Sequence, residues 1–140
     1  MKLNRLGAYL LIFVGLTVLN NCKSTVETEP NMFVPFKGVE HEIDFGDDYV
    51  INESEASLSA DTLLFEISNS GGCKEHEYEV RLNRVENFTA YIFVNHDANG
   101  DACEAYLTHN LKSDLSDLLV RDDFNGLNLV LPDSSELILR

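Results

Sequence analysis

The chain has 140 residues, 24 of them acidic and 10 basic, for a formal net charge of −14. Such a surface repels nucleic acid and anionic lipid headgroups and attracts basic proteins or metal cations, which removes nucleic acid from the expected partners. Hydrophobic residues make up 44% of the chain, enough at this length for one domain with its own core.

The chain opens with Lys2 and Arg5, continues with an uncharged run from Leu6 to Leu19, and then reads Asn20, Asn21, Cys22. The run holds 14 residues, Gly7, Gly15 and Thr17 among them, and falls short of the ~20 that a bilayer-spanning helix needs. Thr17 to Lys23 offers no small-x-small site of the plain secretory kind. Leu19-Asn20-Asn21-Cys22 at the end of the apolar run resembles the lipidation site of a bacterial lipoprotein signal peptide. The resemblance implies that residues 1–21 are removed and that the Cys22 thiol carries a diacylglycerol group, so the membrane is a partner through lipid on Cys22. Two or more acyl chains make such an anchor stable, each buried methylene adding roughly 0.8 kcal/mol. Lys23, where an Asp would imply retention in the inner membrane, implies the outer membrane. Loss of residues 1–21 takes away Lys2 and Arg5 but no acid, leaving 8 bases against 24 acids over 119 residues, a charge of −16.

Residues 22–35 hold Ser24, Thr25, Thr28, Pro30, Asn31 and Pro35 with few large apolar side chains, the composition of a solvated tether. Residues 36–140 read as a single β-domain. Short apolar runs at Val39 to Phe45, Tyr49 to Ile51, Thr62 to Ile67, Glu75 to Leu82, Thr89 to His96, Cys103 to His109, Leu127 to Leu131 and Glu136 to Leu139 have the pattern of strands. Asp47-Asp48, Asn69 to Gly72, Asn99-Gly100, Asn125-Gly126 and Pro132-Asp133 supply turns. Leu111, Leu115, Leu118 and Leu119 have helical spacing, yet Leu111, Ser113 and Leu115 continue the alternation of the strand before them, so a strand to about Leu115 and then a turn of helix is expected. The expected fold is all-β, an antiparallel β-sandwich or small barrel of about seven to eight strands.

Asn99-Gly100 between two apolar runs predicts a hairpin over Thr89 to His109, in which His96 faces Cys103. In the strand after Gly72, His76, Tyr78, Val80 and Leu82 share the core-facing side. With Cys22 assigned to lipid, Cys73 and Cys103 remain as an even pair in an oxidising compartment, expected to form a disulfide. The competing reading is a metal site of Cys73, His76, His96 and Cys103, whose C-x-x-H spacing offers soft ligands to Zn²⁺. That site needs a bulge near Gly72, because strand alternation puts Cys73 and His76 on opposite faces. Asp97, Asn99 and Asp101 alternate as in a calcium loop, but Ala102 and Thr108 stand where the EF-hand needs Gly and Glu. A turn with local Asx hydrogen bonds accounts for them.

The chain contains no G-x-S-x-G, H-E-x-x-H or phosphate-cradling glycine loop. A non-enzymatic protein without a cofactor is expected, and an enzyme would have only His76, His96 and nearby acids to work with. Gly71-Gly72-Cys73-Lys74-Glu75-His76, together with His96-Asp97-Ala98-Asn99-Gly100-Asp101-Ala102-Cys103-Glu104, resembles a pattern in small uncharacterised bacterial lipoproteins. The reading overall is an envelope lipoprotein whose acidic β-domain is a binding or structural module. The first alternative is a periplasmic inhibitor of a basic envelope hydrolase, similar to the lysozyme inhibitors, and the second is a metal-binding lipoprotein.

Overall fold

A computed structural model of the protein describes residues 31–120 and 124–139. The expected signal segment 1–21, the lipidation site Cys22 and the stretch to residue 30 lie outside the described residues. Within them the chain forms β1 (Met32–Phe33), β2 (Phe36–Glu40), β3 (Val50–Ser59), β4 (Thr62–Gly71), β5 (Glu77–Glu86), β6 (Thr89–Asp97), β7 (Ala105–Asp114), the helical turn α1 (Ser116–Leu119), β8 (Gly126–Val130) and β9 (Glu136–Leu139).

Period-2 alternation drives the central strands into two packed sheets, because each of β4, β5 and β6 buries one face. β4 buries Leu63, Phe65 and Ile67, β5 buries Tyr78, Val80 and Leu82, and β6 buries Ala90, Ile92 and Val94. With Leu111 of β7 and Leu127 and Leu129 of β8, they make one continuous apolar core. One sheet has the strand order β1-β7-β4-β3 and the other β2-β5-β6-β8-β9. The all-β expectation holds, and of the sandwich and the small barrel the fold is the sandwich, with nine strands. The sheets are mixed rather than wholly antiparallel, since β1–β7, β2–β5 and β6–β8 pair in parallel.

The predicted hairpin over Thr89 to His109 does not form. Asn99 and Gly100 do make a turn with positive φ at both residues, but β6 pairs with β5 and β8 while β7 pairs with β4 and β1. The segment between β6 and β7 therefore crosses from one sheet to the other over an end of the sandwich, and His96 faces Tyr78, not Cys103.

The start of the folded region also differs from expectation. The Val34 N–H donates to the Lys112 carbonyl at 2.9 Å, and the carbonyl of the following residue, Pro35, accepts from the Val80 N–H at 2.9 Å. A single run of chain thus leaves one sheet and joins the other at Pro35, which has no N–H to satisfy. Part of the stretch read as tether is strand, and the strand read at Val39 to Phe45 sits earlier, at Phe36–Glu40. Residues beyond it lie over the outer face of the second sheet, where Phe45 packs edge-on against Phe93 at 5.9 Å. Phe93 is buried although it points away from the main core. Gly46 makes this close approach feasible, since it has φ 72° and a side chain there would strike the His96 carbonyl.

Ser113 of β7 is fully buried, and its hydroxyl has no hydrogen-bond partner among the described residues. Ser113→Ala is expected to raise the unfolding free energy by about 1 kcal/mol, because it removes an unsatisfied polar group without opening a large cavity. Urea denaturation checks this, and a lower midpoint in the variant would show that the hydroxyl has a partner.

Candidate functional site

The polar centre of the molecule grows from a break in an apolar pattern. Leu63, Phe65 and Ile67 alternate along β4, and the next residue in phase is Asn69, which is buried. A buried amide must be hydrogen-bonded to offset its lost hydration. Its Oδ1 accepts from the Tyr78 hydroxyl at 2.7 Å, and its Nδ2 donates to the Ser70 carbonyl at 3.1 Å and to His76 Nδ1 at 2.8 Å. Tyr78 lies directly opposite His96 in the β5–β6 register, and the two rings stack at 4.8 Å.

His76 and His96 come together, with His76 Nδ1 2.9 Å from His96 Nε2. An amide nitrogen only donates, so the Asn69 contact makes His76 Nδ1 an acceptor and places the proton of a neutral His76 on Nε2. That nitrogen lies 3.3 Å from Asp101 Oδ2. His96 Nδ1 lies 3.3 Å from the Asp47 carbonyl, which can only accept. His96 is 1% exposed. Burial is the main cause holding its pKa below the usual 6.5, and the Asp47 carbonyl opposes that shift.

Asp101 closes the network. Gly71 and Gly72, with φ 154° and 109°, turn the chain so that the N–H groups of Gly72, Cys73 and Lys74 converge on Asp101 Oδ2 at 2.9, 2.8 and 2.9 Å. The Cys103 N–H donates to Oδ1 at 2.9 Å. Three successive donors around one oxygen form an anion nest, filled here by the protein's own carboxylate. The side chains of His76 and Asp101 are 3% and 1% exposed. The Cys103 N–H first, then those of Lys74 and Cys73 and the His76 ring, hold Asp101 well below the usual carboxylate range against the opposing effect of burial.

Cys73 and Cys103 are joined in a disulfide across a sequence separation of 30. The bond fastens the turn after β4 to the segment that crosses between the sheets. It also ties up both sulfurs, so the expected alternative of Zn²⁺ on Cys73, His76, His96 and Cys103 lacks its two thiolates in this state. Of the four sequence candidates, the structure unites the cysteines with each other and the histidines with each other. Of the calcium-like residues, Asp97 Oδ1 accepts from the Asn99 N–H at 2.7 Å, a local Asx turn. Asn69, Tyr78 and Asp101 are the members the sequence reading did not assign to a site. The signal for Asn69 was there, a polar residue in phase with three core positions.

The network's hydrogen bonds are made within the fold, and they tie the turn after β4 to the segment that crosses between β6 and β7. The surface is the other candidate. The basic side chains among the described residues are Lys37, Lys74, Arg81, Arg84 and Lys112, and each is engaged within the fold. Lys37 and Arg81 pair with Glu79, and Arg84 pairs with Glu86 and Glu136. Lys74 Nζ donates to the Asn99 and Gly100 carbonyls, and Lys112 lies over the Phe33 ring. Among the described residues, exposed acids such as Asp48, Glu53, Glu55, Glu75 and Glu104 have no basic side chain paired with them.

No protein-family model matches the chain, and no curated protein matches it. Solved structures do resemble it. A NigD-like immunity protein from Bacteroides caccae shares 16% identity at a TM-score of 0.55, over 76% of this chain and 58% of that one. A protein of unknown function from Bacteroides vulgatus shares 13% at 0.59, over 77% and 55%. A toxin-related protein from Parabacteroides distasonis shares 13% at 0.55, over 76% and 60%. This chain therefore spans less than two thirds of the length of these structures, and at such identities the likeness is one of fold.

Proposed function

We propose that the protein is a lipid-anchored, non-enzymatic binding module of the cell envelope, whose acidic β-domain takes a basic protein as its partner. The observation that carries this reading is the lopsided use of charge. All five described basic side chains are committed to contacts within the fold, and the uncompensated charge among the described surface residues is acidic. Fields of this kind steer cationic partners and suppress anionic ones. Similarity of fold to an immunity protein supports a neutralising role, in which the module inhibits the basic protein it holds. The anchor is Cys22, and Lys23 beside it accords with the outer membrane.

A pull-down of the full-length protein against basic envelope hydrolases tests the partner class. Binding that weakens steeply as salt rises is expected, because exposed charges are screened beyond about 8 Å at physiological ionic strength. Absence of any salt-sensitive partner would count against the reading. Cys22→Ser tests the anchor separately. It is expected to abolish fatty-acid labelling and to leave unprocessed precursor, and labelled protein persisting in the variant would sink the assignment.

A further inference from the structure

The outer face of the β1-β7-β4-β3 sheet carries a built concavity. Asn52 pairs with Glu66 and Ser57 with Leu64, so between these pairings β3 contains Glu53, Ser54, Glu55 and Ala56 where β4 has only Phe65. The surplus residues arch away from the ladder, as bulged strands do. Beside the arch lies a groove of about 410 Å³ lined by Val50, Asn52, Glu53, Glu66, Ser68 and Tyr106, with Ile51 and Ser54. Ser54 Oγ donates to Asn52 Oδ1 at 2.8 Å, and Asn52 Nδ2 donates to Glu66 Oε1 at 3.0 Å. This chain ties the arch to β4 and orients the Glu66 carboxylate.

Two large apolar side chains stand open at the groove, Tyr106 at 73% and Val50 at 64% exposure. Val50 is directly opposite Ser68, which is opposite Thr108, two residues along β7 from Tyr106. The exposed pair thus flanks a small polar floor, where Ser68 and Thr108 share a hydrogen bond at 2.9 Å. Among the described residues, no basic side chain lines the groove. An aromatic ring, an aliphatic side chain and two carboxylates with no cation of their own suit one kind of occupant. The ring face attracts a cation, the carboxylates pair with it, and the aliphatic group covers the methylene stem that carries it.

We infer that this groove is where the partner docks, and that the docking element is a Lys- or Arg-bearing segment of a cationic protein. The inference rests on the proposed acidic-module function and gives that function a location. Tyr106 is its anchor, since aromatic side chains at the centre of an interface contribute most to binding. Glu53 and Glu66 select for positive charge.

Amide chemical-shift mapping of the full-length chain, titrated with an arginine-rich peptide and with its glutamate-substituted counterpart, tests the inference. The arginine peptide is expected to shift residues 50–54, Glu66, Ser68 and Tyr106, and the glutamate peptide to shift none of them. Tyr106→Ala should weaken binding about two- to fivefold. Glu53→Lys with Glu66→Lys should weaken it by about tenfold or more, through like-charge repulsion. Glu75→Lys with Glu77→Lys makes the same charge change on the other sheet's side and should leave the affinity within about twofold, its effect being only long-range and screened. Equal weakening by both charge-reversed pairs, or shifts centred elsewhere on the acidic surface, would overturn the groove while leaving the acidic-module reading in place. Absence of any salt-sensitive binding would overturn both.

Discussion

Cys73→Ser and Cys103→Ser will each lower the unfolding free energy by about 3 to 4 kcal/mol, and by similar amounts. The bridge closes a loop of 30 residues, and in the chain-entropy model a loop of that size restricts the unfolded chain by this much. Either substitution releases the same loop, so the two costs should agree. Against a total stability of roughly 5 to 15 kcal/mol for a domain, the loss is large. Urea denaturation of both variants measures it, and the oxidised protein should show no titratable thiol and no response to a chelator. Two free thiols together with a bound metal in the purified protein would overturn the disulfide and revive Cys73, His76, His96 and Cys103 as ligands.

Asp101→Asn will lower the melting temperature far more than Asp133→Asn, and it will flatten the response to acid. Asp133 serves Ser135 in one local turn. Asp101 instead accepts four backbone N–H groups from two segments far apart in sequence. An amide presents an NH₂ where one of the carboxylate oxygens accepted, setting donor against donor. The pH dependence follows from the two shifted groups. Because the His96 pKa is lowered from 6.5 in the fold, the unfolded chain takes up that proton first, and stability falls as pH drops below 6.5. Because the Asp101 pKa is lowered from 3.8, its contribution is complete above that value and is lost as pH falls further. Wild-type protein should therefore lose stability in two stages on acidification. Asp101→Asn should keep the first stage and lose much of the second, with the remainder coming from Asp114 and Asp133, which are also lowered by their serine neighbours. Denaturation midpoints from neutral to about pH 2.5 measure both stages, and a variant profile parallel to the wild type's at the acid end would contradict the role given to Asp101.

The alternation of β4 through β9 was legible because one face of each strand is core, and period 2 records that directly. Strand β3 was cut short at Ile51 because Asn52 to Ala60 is polar. An edge strand with an arch in it has little face to bury and so little pattern to show. The hairpin error came from a true local signal. Asn99-Gly100 forms the turn it encodes, but β6 pairs with β5 and β8 while β7 pairs with β4 and β1, long-range contacts that turn chemistry does not specify. The histidines were individually placed near the core by phase, yet their contact depends on a turn at Gly71-Gly72 that aims His76 back at β6. Strand periodicity carries no information about such a turn. The groove was equally hidden, since Val50, Glu66 and Tyr106 are adjacent only once β3, β4 and β7 lie side by side.

The run that leaves one sheet at Val34 and joins the other at Pro35 also decides how the domain bears mechanical load. A pull on the chain ahead of Met32, along the strand direction, reaches β7 through β1 and then β5 through β2. Hydrogen bonds to both sheets resist in shear together, where a strand peeled from one edge would give way a bond at a time. Under the proposed anchor at Cys22 and the proposed groove on β3, β4 and β7, the domain would be clamped across both layers at the point where tension enters.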